Sequence, residues 1–190
     1  MSLSPQASCR ILEINANPAW FSQFRRMIEE YLHSRELNLW DEDIDAELNQ
    51  LETKYRMPQG RMYLALKENQ DGKENRDGEN WEPVGCVAFY AFAEDICELK
   101  RLYVSPQAQG LGLGRALMTR AMQDARAAGY RIMRLDSLRR LQNAAHLYPK
   151  MGFYDIPPYN DNPFPDVYHM EALLAQRDAD FAWEPAAVMS

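Results

Sequence analysis

At 190 residues with 46% hydrophobic residues, the chain is long enough to fold as one domain and to bury about 70% of its unfolded surface. A net charge of −7 disfavours nucleic acid as a partner, and three cysteines without CxxC spacing (Cys9, Cys86, Cys97) point to reduced thiols in a cytoplasmic protein and away from zinc or any other metal. No apolar run approaches the ~20 residues that span a bilayer and no charged start precedes an apolar core, so a soluble chain without a membrane partner is expected.

In chain order, Arg10-Ile-Leu-Glu-Ile-Asn15 alternates apolar and polar residues and predicts a first strand. A helix from about Pro18 to His33 follows, with Trp20, Phe21, Phe24, Met27, Ile28 and Tyr31 at helical spacing as a core stripe. A second helix is expected over Asp43 to Tyr55, ended before Pro58-Gln-Gly60. Arg61 to Leu66 and Glu82 to Tyr90 are strands joined by a polar stretch, Lys67 to Trp81, that is too hydrophilic to pack and expected to be disordered. Cys97 to Val104 is a further strand, and a helix from about Gly112 to Ala128 follows, with Gly129 as its C-terminal stop. Arg131 to Asp136 is a strand, Leu141 to Lys150 a short helix with Pro149 as a potential kink, and Val167 to Leu173 the last strand. Residues 97 to 136 make a βαβ unit beside a hairpin, so the fold class is α/β (α+β) with a mixed central sheet of six to seven strands flanked by about four helices. The domain runs from 1 to 177, leaving 178–190 as a tail.

Between the strand at Cys97 and its following helix lies Gln109-Gly-Leu-Gly-Leu-Gly-Arg115. Glycines at Gly110, Gly112 and Gly114 let an anion approach the main chain, and the helix that follows adds unpaired N–H groups and the positive end of its dipole. The ligand this implies is a phosphate or pyrophosphate. No lysine follows the glycines as in a Walker A loop, and Arg115 and Leu117 stand where a Rossmann fingerprint needs its third glycine. The glutamine-to-glycine spacing also runs from Gln107, but Pro106 and Ala116-Leu117 favour a start at Gln109.

Gln109-x-x-Gly112-x-Gly114, preceded by Leu102-Tyr-Val-x-Pro106 and followed by Ala116-Leu117, resembles the acetyl-CoA signature of the GNAT superfamily of N-acetyltransferases. Cys97-Glu-Leu-Lys-Arg-Leu-Tyr-Val104 and Pro158-Tyr-Asn-Asp-Asn-Pro-Phe-Pro165 are similar to segments of one branch of that superfamily. The element order matches its fold: strand, two helices, three strands, helix, strand, helix, strand. The resemblance implies an acetyl-CoA-dependent transferase acting on a small-molecule amine. Acetyl-CoA would be held by Gln109, Gly110, Leu111, Gly112, Leu113, Gly114 and Arg115, and by the main chain of Leu102, Tyr103 and Val104. The family's CoA-binding asparagine is replaced by Leu141, which leaves the neighbouring Asn143 as a candidate.

The resemblance further implies two catalytic residues. Glu98, on the strand face shared with Lys100 and Leu102, is the expected base for the substrate ammonium through water; a solvent-facing glutamate paired with Lys100 or Arg101 is the alternative. Tyr148 is the expected donor of a proton to the CoA thiolate, against the alternative of a half-buried helix tyrosine. Direct transfer is expected, because no histidine sits at a motif distance from a cysteine. His146 and His169 are read as structural or exposed. Tyr159, Asn162 and Phe164 are expected to wall the acceptor pocket opposite Trp40 and Tyr55. Lys100, Arg101, Arg139 and Arg140 suggest a carboxylate on the acceptor and so an amino acid. A protein or peptide amine, a non-catalytic acyl-CoA sensor and a homodimer remain open.

Overall fold

The structure, a computed structural model, describes residues 8–14, 18–33, 42–69 and 80–174. Its elements are β1 (Cys9–Glu13), α1 (Pro18–Leu32), α2 (Glu42–Asn49), α3 (Leu51–Lys54), β2 (Arg61–Glu68), β3 (Trp81–Ala91) and β4 (Ile96–Val104). After a short 3-10 turn, Pro106–Ala108, come α4 (Leu113–Ala127), β5 (Ile132–Leu138), α5 (Gln142–Lys150), β6 (Tyr154–Ile156) and β7 (Val167–Leu173). Trp40 and the tail lie outside the described residues, as do 70–79 of the polar stretch, whose ends are tied by the Asn69 N–H to the Asn80 carbonyl at 3.0 Å.

The seven strands form one sheet in the order β1-β2-β3-β4-β5-β7-β6. Only β4 and β5 pair in parallel, as a βαβ crossover requires; the other pairs are antiparallel. Alternation along β2 and β3 divides the core between the two faces. Tyr63, Ala65, Val87 and Phe89 meet α4 on one face, while Leu64, Leu66, Cys86 and Ala88 meet α1 on the other. Buried on both sides, these central strands read as nearly continuous apolar runs.

Helix α1 forms because Trp20, Phe24, Met27, Ile28 and Leu32 recur on one face, and all five are buried. Helix α4 buries Leu113, Ala116, Leu117, Ala121 and Ala125 in the same way, and ends as expected at Gly129. There the Tyr130 N–H bonds to the Ala125 carbonyl and the Gly129 N–H to the Arg126 carbonyl, the two bonds of a Schellman stop.

Two expectations about elements are corrected. The second helix is not continuous from Asp43 to Tyr55 but breaks at Gln50, after Asn49, a weak helix former. The short edge strand β6 was not anticipated; three residues, two of them exposed, carry too little alternation to be read. Pro149 falls in the last turn of α5 and does not interrupt it.

Candidate active site

Strands β4 and β5 pair from Ile96↔Ile132 to Glu98↔Arg134 and then part. Beyond that point β5 stays with β7 while β4 bulges against β3: from Cys86↔Tyr103 to Ala88↔Lys100, one residue of β3 faces two of β4. Arg101 sits in the bulge at φ 60, the only non-glycine residue with positive φ among those described. The gap opened by this splay is a cavity of about 400 Å3. Leu99 to Leu102 line one side, Asp136 to Leu138 the other, with Tyr148 of α5, Tyr31 and Glu47 of the helical segment, and Asn160 to Phe164 of the proline-rich loop.

The glycine loop lies at the end of β4. Gly110 and Gly112 adopt φ 83 and 76, a region in which a side chain is strained, and an added Cβ at either would meet nothing within 4 Å. The glycines therefore serve the turn and leave open space in front of it. Gly112 caps α4 without a side-chain hydrogen bond, and no acidic residue occupies the first turn, so the leading amides are left uncapped, with the exposed Arg115 beside them. That is a fit for the diphosphate of a CoA ester. Leu113 turns its side chain into the core, so its contribution to such a ligand is its main chain alone, whereas Leu111 is exposed. Gln109 donates from Nε2 to the Val104 carbonyl at 3.3 Å and accepts from Asn143 Nδ2 at 3.2 Å. Asn143, put in doubt by Leu141, is thus joined to the loop through Gln109. Tyr103 faces α1, with its hydroxyl 2.8 Å from Glu30 Oε1.

Glu98 is not solvent-facing: it is 2% exposed. Its Oε1 accepts from Lys100 Nζ at 2.9 Å and from the Tyr159 hydroxyl at 2.9 Å, and its Oε2 from the Tyr90 hydroxyl. Lys100 Nζ also lies 2.5 Å from Asp136 Oδ1. Asp136 Oδ2 accepts from Asn162 Nδ2 at 2.8 Å and Asn160 Nδ2 at 3.3 Å, and Asn160 is in turn 2.8 Å from His169 Nε2. Burial alone would lower the Lys100 ammonium and raise the Asp136 carboxyl; their mutual attraction, with Glu98 also acting on Lys100, outweighs it and shifts each the other way. Lys100 and Asp136 border the cavity while Glu98 lies behind Lys100. Tyr148 is 5% exposed and borders the cavity; burial first, then neighbouring phenols, push its hydroxyl well above the ordinary tyrosine value.

The loop residues Asn162 and Phe164 line the cavity as expected, but Tyr159 is turned onto Glu98 and packs edge-on against His169. Tyr55 does not form the opposite wall. It is 1% exposed and donates to Glu47 Oε1 at 2.8 Å, so Glu47 and Tyr31 take that place. The cations that suggested an acceptor carboxylate are committed elsewhere: Arg101 to Glu47 at 2.9 Å, Arg140 to Asp166 at 2.7 Å, and Arg139 over the Tyr168 ring at 5.2 Å. His169 is buried and His146 exposed. No cysteine lines the cavity among the described residues, and burial pushes the Cys97 thiol up to about 12 and Cys86 higher still.

The acetyltransferase (GNAT) family matches residues 24–153, well over half of the chain. The chain belongs to this family. An uncharacterized N-acetyltransferase of Schizosaccharomyces pombe is 36% identical over 160 residues, covering 84% of this chain and 91% of its own length. The uncharacterized N-acetyltransferase YjgM of Escherichia coli is 28% identical over 156 residues, covering 82% and 87%. The fold is that of a GNAT acetyltransferase from Staphylococcus aureus, with a TM-score of 0.70 at 17% identity over 88% of this chain and 99% of that one. The protein is an acyltransferase of the GNAT fold. No helix among its described residues is long and apolar enough to cross a membrane.

Asp136, Glu47, Tyr90 and Asn160 went unread as site residues in the sequence. Asp136 closes an alternating strand and Asn160 stands in a proline-punctuated loop, but neither spacing says that they meet.

Proposed function

We propose that this GNAT protein transfers an acetyl group from acetyl-CoA directly to the primary amine of a small molecule. The observation that carries the reading is the splay between β4 and β5. It opens a cavity lined by the buried Tyr148 and by Lys100 and Asp136, with Glu98 behind them, and β4 runs on from this cavity through the glycine loop to the uncapped start of α4.

Acetyl-CoA supplies an activated acyl carbon with a thiolate leaving group. The main chain of Leu102 to Val104 and the loop from Gln109 to Arg115 hold the donor, with Asn143 bracing Gln109. The amine must lose one proton to present its lone pair, and the Glu98–Lys100–Asp136 cluster provides negative charge to dock it while that proton passes to water. As the C–N bond forms and the C–S bond breaks, the nitrogen sheds its second proton to water to become the amide, while the Tyr148 phenol gives its proton to the departing sulfur and regains one from solvent. Its raised value keeps it protonated for this task. A covalent relay through cysteine has no support, since the cavity-lining residues described include no thiol.

A thiol-release screen of small amines with acetyl-CoA, read alongside thermal shift by CoA, tests the reading. Amine-dependent thiol release and a rise in melting temperature with CoA are expected. Preference for peptide amines, with no small amine accepted, would overturn it.

A further inference from the structure

We infer that the acceptor is a primary amine without a carboxylate, and that Asp136, rather than Glu98, is the side chain that receives its ammonium. This rests on the acetyltransferase reading above and assigns its acceptor class.

Access to the cavity separates the two carboxylates. Of the two carboxylates flanking Lys100, Glu98 already accepts from Tyr90, Tyr159 and Lys100 and does not border the cavity. Asp136 does border it. A carboxylate offers about four acceptor positions. Asp136 uses three of them, for Lys100, Asn160 and Asn162, which fix its plane and leave room for one more donor.

Charge points the same way. The cations that line the cavity are Lys100 and Arg101, and each already faces a carboxylate within 3 Å: Lys100 at 2.9 and 2.5 Å, Arg101 at 2.9 Å. Glu47 is further matched by Lys54 at 3.0 Å. Glu47, Glu98, Asp136 and the exposed Asp161 thus stand against Lys54, Lys100 and Arg101, a surplus of one negative charge that an acceptor ammonium would complete. A carboxylate on the same acceptor would find no uncommitted cation among the described lining residues and would face like charge, which discriminates strongly against a partner. Leu99, Leu102, Leu138, Leu141 and Phe164 add an apolar part to a wall that also carries Ser137, Asn160 and Asn162, and that part fits an alkyl or aralkyl body. The lowered Asp136 value, set against burial by Lys100, keeps this carboxylate charged and makes it a dock for the ammonium rather than the group that removes its proton.

The test compares matched pairs that differ only by a carboxylate: phenethylamine against L-phenylalanine, and isobutylamine against L-valine, each with acetyl-CoA. The expected result is a kcat/KM higher for the amine by about ten-fold or more in both pairs. In Asp136→Asn the amine KM should rise by about ten-fold or more while the melting shift given by CoA is retained, and Asn162→Ala should move the same KM less. The pair comparison uses the unmodified protein, so it stands whatever either variant does to folding. Preference for the amino acids, or an amine KM untouched in a folded Asp136→Asn, overturns the inference and leaves the acetyltransferase reading intact. No acetylation of any of the four compounds, together with no melting shift from CoA, overturns both.

Discussion

Arg101 and Glu47, 54 positions apart in the chain, are joined by a guanidinium–carboxylate contact of 2.9 Å. The pair ties α2 to the bulge of β4, where Arg101 holds a backbone angle that a strand residue otherwise avoids. Removing the carboxylate charge leaves a mostly buried guanidinium without its partner, so Glu47→Gln should lower unfolding stability by about 3 kcal/mol. Urea denaturation of both proteins checks this, and a loss under about 1 kcal/mol would show the pair to be dispensable.

The same carboxylate gives an acid dependence. Burial raises the Glu47 carboxyl, but Arg101, Lys54 and Tyr55 outweigh it and bring it from 4.5 to about 2. A folded value below the unfolded one contributes stability that is complete above pH 4.5 and is lost as pH falls toward 2. Unfolding free energy measured across that window should fall less steeply in Glu47→Gln than in the parent.

Tyr148→Phe should reduce kcat by about a hundred-fold or more while CoA still raises the melting temperature, because the proposed general acid is removed and the donor's contacts are not. The parent phenol, pushed up by burial, stays protonated through the ordinary tyrosine range, so kcat should show no descending limb below about pH 10 that vanishes in the phenylalanine variant. A pH–rate profile of both proteins reads the two effects together.

Within the loop, two glycines should behave differently. Gly112 sits at φ 76, so Gly112→Ala should cost about 1–2 kcal/mol in stability. Gly114 has no such angle, and a Cβ there would meet Leu147 Cδ2 at 3.4 Å, an ordinary contact. Inside the first turn of α4, Gly114→Ala should be neutral or mildly stabilising. Thermal melts of the two variants separate the requirements of the turn from those of the helix.

What could be read beforehand followed periodicity. The stripes of α1 and α4, the alternation of β1 and β4, the apolar runs of β2 and β3, and Gly129 at a helix stop are local patterns, and they placed the sheet and its crossover. The glycine loop was legible because its spacing excluded two other phosphate motifs. The interior of the site was not. Lys100 and Asp136 are 36 positions apart and Tyr159 and Glu98 are 61, and such pairings come from the parting of β4 and β5, which no local pattern records. An alternating strand alone therefore left a solvent-facing Glu98 open as the alternative to a base, and Arg101 read as one more cation rather than the residue at the bulge.

The reaction proposed for the cavity between β4 and β5 is transfer of an acetyl group from a CoA thioester to a small amine, with Tyr148 protonating the thiolate. Mass spectrometry of the amine, with thiol quantified in the same reaction, tests it most directly when phenethylamine and acetyl-CoA are given to the parent and to Tyr148→Phe. Acetylated amine and free thiol are expected in one-to-one amounts from the parent, with about a hundred-fold less of both from the variant. Thiol released without acetylated amine, or equal rates from the two proteins, would contradict it.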